Sequence, residues 1–280
     1  MIERARGFSR VVPILLILAL ALAWQAPDLS WLRAATTGPH GADPMTSALD
    51  TLPDEPLVLI GFDADVGTYA EIRPTVRALL ADLLARDGRL AFVSLTPEGR
   101  ALASAEIARL RRGEANPTRL LDLGFIPGAE AGLVDLTRDI RVDSGDDGVF
   151  AREVEGAGIA AVDAILVIGG NDLGPRSWIE QVIPRIADVP LLTVTPTVLL
   201  PEVQPYLAGG QLAAGLITPG DGASYRQGLE LGNLERLIEP TEPRQLPILV
   251  GMLVAVTVLG HALASRALAR VRSAASRSVG

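Results

Sequence analysis

Residues 56–68 read Pro56-Leu57-Val58-Leu59-Ile60-Gly61-Phe62-Asp63-Ala64-Asp65-Val66-Gly67-Thr68. Leu57 to Phe62 is an unbroken apolar run, and acidic and turn-forming residues follow it directly. A run that is apolar on both faces suits a strand buried in the middle of a parallel sheet. Downstream, Leu79, Leu80, Leu83 and Leu84 recur at helical spacing, with Arg77, Asp82 and Arg86 on the opposite face, and Asp87-Gly88 ends that helix.

The same unit repeats along the chain. Residues 90–95 (LAFVSL) read as a second strand and 100–112 as a helix with Leu102, Ile107 and Leu110 apolar. Residues 164–168 (AILVI) read as a third strand, followed by a helix over 175–187 that turns Trp178, Ile179, Val182, Ile183 and Ile186 inward. A further strand is expected at 191–194, and 120–125 adds another before a turn at Gly124, Pro127 and Gly128 and a helix over 130–137. Strands alternating with helices of this length predict an α/β fold, a mostly parallel Rossmann-like sheet with helices on both faces. Residues 143–148 (DSGDDG) read as an exposed turn, and 33–56, rich in Gly, Pro, Thr and Asp, as a linker, so that the domain spans 56–245.

Outside this domain lie two hydrophobic runs. Residues 11–24 (VVPILLILALALAW) follow Arg4, Arg6 and Arg10 and read as a signal anchor or a cleavable signal peptide, with Trp24 and Trp31 suited to interfacial anchoring. Residues 246–264 hold no charge, match one membrane span, and are followed by Arg266, Arg270, Arg272 and Arg277. Basic residues on the outer side of both runs predict two cytoplasmic termini and an extracytoplasmic domain, with the lipid bilayer and other membrane proteins as partners.

Charge and composition exclude several chemistries. The net charge of −8 hides an asymmetry: residues 26–245 hold 18 Arg against 32 Asp and Glu, a net of −14. A surface this acidic repels phosphate backbones, so nucleic acid is not expected as a partner. There is no Cys and no Lys, which removes thiolate chemistry, Schiff bases and a P-loop lysine. His40 and His261 are the two histidines, one in the linker and one in the C-terminal run, which speaks against a Ser-His-Asp triad or a His-rich zinc site. No cofactor or metal is expected.

Open parallel sheets bind ligands where loops leave the carboxyl ends of the strands. Four loops answer that description: Asp63-Ala64-Asp65, Ser94 with Thr96, Gly169-Gly170-Asn171-Asp172, and Thr195-Pro196-Thr197. They are expected to converge on one rim, with Asp63, Asp65, Ser94, Thr96, Gly169, Gly170, Asn171 and Asp172 as the candidate binding residues for a small ligand of unknown identity. Two alternatives stand beside this. Asp63 and Asp65 serve equally as helix caps or turn residues, and Gly169 to Asp172 as a tight strand-to-helix turn.

Residues 62–68 (FDADVGT) resemble the DxDxT strand end of haloacid-dehalogenase-like phosphatases. The resemblance implies a carboxylate nucleophile, Mg²⁺ and a cation on the phosphate. An extra residue separates Asp65 from Thr68, and the customary Lys is missing. A second resemblance covers more of the domain. Leu123-Gly124-Phe125-Ile126-Pro127-Gly128, and Pro205-Tyr206-Leu207 with Gly210-Gln211-Leu212 and Gly215-Leu216, are similar to the LGY-x-PG and PYL-x-x-GQ-x-x-GL patterns of uncharacterised bacterial membrane-anchored proteins. That family implies an architecture and no known activity. The expected function is a membrane-anchored extracytoplasmic binding or interaction module. An accessory subunit of a membrane complex is the alternative, and a phosphatase or other hydrolase comes after it.

Overall fold

The computed structural model describes residues 40–113, 117–141, 149–186 and 188–229. β1 (Leu57–Asp63) is buried along its whole length, as its composition demands, because it is paired on both edges. β2 (Arg89–Ser94) and β3 (Leu120–Phe125) extend the sheet on one side. β4 (Ala164–Gly169), β5 (Leu191–Val194) and β6 (Ala214–Leu216) extend it on the other. The six strands lie in the order β3-β2-β1-β4-β5-β6 and every pairing is parallel. This is a Rossmann-like α/β fold. The direction of winding reverses between β1 and β4, so the ligand crevice of such a sheet would open at their carboxyl ends.

Helices cover both faces. Alternate strand residues Val58, Ile60 and Phe62 pack with α1 (Ala42–Asp50), α2 (Val66–Ala85), α3 (Pro97–Gly113) and α8 (Pro219–Gln227). Leu57 and Leu59 face α4 (Glu130–Leu136), α5 (Val149–Val154), α6 (Pro175–Gln181) and α7 (Leu200–Ala208). On this second face Trp178 of α6 is wholly buried against Gly61 of β1. A Cβ at Gly61 would stand 2.4 Å from the indole Cζ2, so only glycine admits the ring.

Three expectations need correction. Within the stretch 33–56, expected as a linker, residues 42–50 form α1, with Met45 and Leu49 buried in the core. The folded unit therefore starts before Pro56. The helix expected over 175–187 stops at Gln181 and gives way to a 3-10 turn, Ile183–Arg185. Pro184 explains the break, since it has no N–H for the Glu180 carbonyl and its ring clashes with that group. Asp82, expected on the outer face of its helix, is buried and accepts the Tyr225 hydroxyl of α8. The same carboxylate receives Arg86 at 3.3 Å, and Arg86 reaches Asp50 of α1 at 2.8 Å.

Among the described residues, no helix is long and apolar enough to cross a membrane. The runs at 11–24 and 246–264, the basic tail, His261 and the turn at 143–148 lie outside the described residues.

Candidate functional site

Parallel pairing brings the carboxyl ends of all six strands to one edge, and with them the four loops named from the sequence. Asp63 closes β1 level with Gly169 at the end of β4. Ile168 pairs with Val194, which puts Thr195 level with Gly169 one strand further on. Strand alternation turns Asp63, Gly169 and Thr195 toward the face covered by α6. Two buried polar side chains thus flank a glycine, and each keeps one oxygen without a partner, Oδ2 of Asp63 and Oγ1 of Thr195.

Asp63 is asymmetric. Its Oδ1 accepts the Leu95 N–H at 2.7 Å, the Thr96 N–H at 3.1 Å and the Thr96 hydroxyl at 3.4 Å. Burial pushes the carboxyl up to about 6, against the pull of these donors. The Trp178 indole N–H also lacks a partner of hydrogen-bond geometry, yet it is near enough to favour the charged carboxylate. Asp63 thereby joins β1, the β2–α3 turn and α6. Ser94 donates its hydroxyl to the Phe62 carbonyl at 2.8 Å, fastening β2 to β1, and Thr96 caps α3 by accepting the Gly99 N–H at 3.1 Å.

Asp65 is the N-cap of α2. It accepts the Thr68 N–H at 2.9 Å and the Thr68 hydroxyl at 2.8 Å, and these bonds hold its carboxyl below the ordinary range. Gly170 lies against Thr68, whose hydroxyl would stand 2.4 Å from a Cβ there. Asn171 accepts the Leu173 N–H on its side chain and the Gly174 N–H on its carbonyl, both at 2.9 Å. Asp172 is exposed, and its carbonyl accepts the Ser177 hydroxyl at 3.0 Å. Gly169 to Asp172 has the geometry of a tight strand-to-helix turn.

Sequence reasoning missed the residues that tie neighbouring loops together. Glu98 of α3 accepts the Val66 N–H at 2.9 Å, and Glu71 of α2 accepts the Thr197 N–H at 3.3 Å. Ser177 also lies 3.1 Å from Glu130 of α4. Acids in the first turns of α3 and α4, Glu98 and Glu130, were the available signal, whereas Glu71 lies beyond the first turn of α2 and gave none. With these bonds the N–H groups of Val66, Thr68, Leu95, Thr96, Gly99, Leu173 and Thr197 all end on side-chain oxygens of the rim itself. At these seven positions the donors that a nucleotide-binding rim would offer to a phosphate are already taken.

The same geometry weighs against phosphoryl transfer. A carboxylate that attacks phosphorus must be reachable, and Asp63 has 0% exposure. Among the described residues no group of three or more His, Asp and Glu side chains is placed to hold a metal ion. His40 is not loose as the linker reading expected. Its Nδ1 lies 2.9 Å from Oδ2 of the buried Asp221, which also accepts the N–H groups of Ile217 and Thr218.

The rim leaves both charged and apolar side chains open, Glu71, Glu98 and Asp172 among the charged ones. The exposed large hydrophobic side chains among the described residues are Val66 at 62%, Phe125 at 43% and Val198 at 74%, and all three follow or end strands at the carboxyl edge. No protein-family model matches this chain, and no curated protein matches it, so the reading of its site rests on this geometry.

Proposed function

We propose that the protein is a membrane-anchored, extracytoplasmic interaction module, held by one transmembrane helix at each end with both termini in the cytoplasm, and that it captures a partner at the carboxyl edge of its sheet. The anchoring half of this reading rests on the charge-free run at 246–264, the run at 11–24 and their basic outer flanks. Membership of the membrane-anchored family with the LGY-x-PG and PYL-x-x-GQ-x-x-GL patterns belongs to the same proposal.

The observation that carries the binding half is the state of the rim. The N–H groups of Val66, Thr68, Leu95, Thr96 and Thr197 end on its own carboxylates, its Asp63 carboxylate is wholly buried, and its exposed large hydrophobic side chains are Val66, Phe125 and Val198. A surface with those properties favours docking over catalysis or anion capture.

The test is purification of the tagged full chain from membranes in mild detergent, beside a variant carrying Val66→Asp, Phe125→Asp and Val198→Asp. These side chains are exposed, so the fold is expected to survive, which circular dichroism checks. A defined partner that accompanies the unmodified chain and is lost from the variant supports the proposal. A partner that stays with the variant would move the contact to the hydrophobic runs and make the protein an accessory subunit of a membrane complex. Hydrolysis of a generic phosphomonoester that depends on Mg²⁺ and disappears in Asp63→Asn would overturn the non-enzymatic reading.

A further inference from the structure

Successive side chains of α2 stand about 100° apart, which assigns its neighbours to sides. Ile72, Val76, Leu79 and Leu83 form the side that rests in the core. Thr75 lies against Gly222 and Asp82 meets Tyr225, so α8 takes a second side. Arg77 reaches Glu106, so α3 takes the flank across from it. Ala70, Pro74, Ala78, Ala81 and Ala85 follow the fourth side, which faces away from the sheet. That side is open at Ala70 and Ala85 and closed between them, where Ala78 and Ala81 are both at 0% exposure. An alanine is too short to bury itself by reaching sideways, and Arg77, one turn before Ala81, is directed to Glu106. A covering element therefore lies over this turn of the helix. Both alanines are buried in the single chain, so the cover belongs to the chain itself.

A suitable stretch begins close by. Tyr225 meets Asp82, the neighbour of Ala81, and α8 ends at Gln227, with Leu229 packed against the same core cluster. The compact unit runs from Thr36 to Glu239, past the end of α8. Residues 231–239 read Leu231-Gly232-Asn233-Leu234-Glu235-Arg236-Leu237-Ile238-Glu239, and Pro240 follows. At helical spacing Leu231, Leu234, Leu237 and Ile238 share one side, Glu235 and Glu239 fall one turn apart beside them, and Arg236 falls opposite. On α2, Arg73 and Arg77 are likewise one turn apart, and Arg109 joins Arg77 on the Glu106 carboxylate. Two arginines on one carboxylate leave this flank positive, and the glutamates of the stretch complement it.

We propose that residues 231–239 form an amphipathic cover seated across the outer side of α2. Leu231, Leu234, Leu237 and Ile238 lie over Ala78 and Ala81, and Glu235 and Glu239 turn toward Arg73 and Arg77. The folded unit then ends at Glu239, and only residues 240–245 separate it from the charge-free run. This cover is independent of the rim and of how the chain is anchored.

The chain has no Cys, so single thiols can report on the site in the full chain in mild detergent. The thiol of Ala81→Cys is expected to react with a maleimide about tenfold more slowly than that of Ala85→Cys, at the open end of the same side. Adding Leu234→Asp and Leu237→Asp should raise the rate at position 81 about tenfold and leave that at position 85 unchanged. Equal rates at the two positions in the otherwise unmodified chain would overturn the proposal. So would protection that survives the two aspartates, which would pass the cover to another stretch of the chain. Where the aspartates unfold the domain, seen as lost near-ultraviolet dichroism, paired thiols decide. Ala81→Cys combined in turn with Leu231→Cys, Leu234→Cys, Leu237→Cys or Ile238→Cys should close a disulfide on oxidation in at least one pair, and not with Arg236→Cys. No disulfide in any of the four pairs, or one formed as readily with Arg236→Cys, would overturn the proposal.

Discussion

Two buried carboxylates, Asp63 at the carboxyl edge and Glu106 between α2 and α3, meet opposite fates in one domain. Burial raises both. Around Glu106 the rise is outweighed, because Oε1 accepts Arg77 at 2.7 Å from Nη2 and 3.0 Å from Nε, and Oε2 accepts Arg109 at 2.6 Å. That carboxyl is held below the ordinary range. Asp63 has neutral donors on one oxygen and none on the other, and it ends at about 6. The difference is compensation and not depth. Glu106 has the surroundings of a structural strut, whereas Asp63 is left with an unmet demand at the switch point of the sheet, where strain gathers in working sites.

The largest effect expected from breaking this contrast is at Glu106. Glu106→Ala leaves two guanidinium groups partly buried without their carboxylate and should destabilise the domain by about 3 kcal/mol, read as a loss of thermal midpoint. A loss under about 1 kcal/mol would mean that solvent replaces the pair.

Asp63 predicts a pH dependence of the opposite sense. Its folded value lies above its unfolded one, so its contribution is fully present below about pH 4 and is lost as pH rises through about 6. At about 1.4 kcal/mol per pH unit the loss amounts to at most about 3 kcal/mol. Glu106 contributes above its unfolded value and loses that contribution as pH falls through its lowered one. Asp63→Asn should remove the slope between about pH 4 and 6, and the indole N–H resonance of Trp178 should stop moving across that window. A Trp178 resonance that never moves in the unmodified chain would contradict the assigned contact.

Gly61→Ala sharpens the comparison from the other side. The added methyl displaces Trp178 and should cost about 2 kcal/mol, with a shift in the Asp63 midpoint that a mutation elsewhere in the core would not produce. The smallest change is at Asp65. As a half-buried cap it should lose about 1 kcal/mol on Asp65→Ala and a few tenths on Asp65→Asn, read as a shift in thermal midpoint.

Strands β1, β2, β4 and β5 were legible because a strand buried on both faces is a short apolar run bounded by turn-forming residues. β6 was not, since Ala214-Gly215-Leu216 carries no such run and exists by pairing with β5. α1 was hidden for a similar reason. Its sequence looks like a polar loop, and only the burial of Met45 and Leu49 makes it a helix. At the site, the convergence of four loops followed from topology alone. The partner of each polar group did not, because Asp82 looks like a solvent residue on a helical wheel until Tyr225, 143 positions away, arrives to meet it. The closure of the rim by Glu71 and Glu98 was likewise a matter of tertiary distance.

The hydrogen bond from the Gly41 N–H to the Gly215 carbonyl at 2.9 Å, beside the His40–Asp221 contact, covers the outer edge of β6 with the chain that leads into α1. A bare edge strand invites other chains to add to it, and fibrils grow that way. Any soluble fragment cut from this protein should therefore begin no later than His40. One that begins at Pro56 would leave a naked edge next to the vacated socket of Met45 and Leu49, and it should self-associate on concentration where the longer fragment does not.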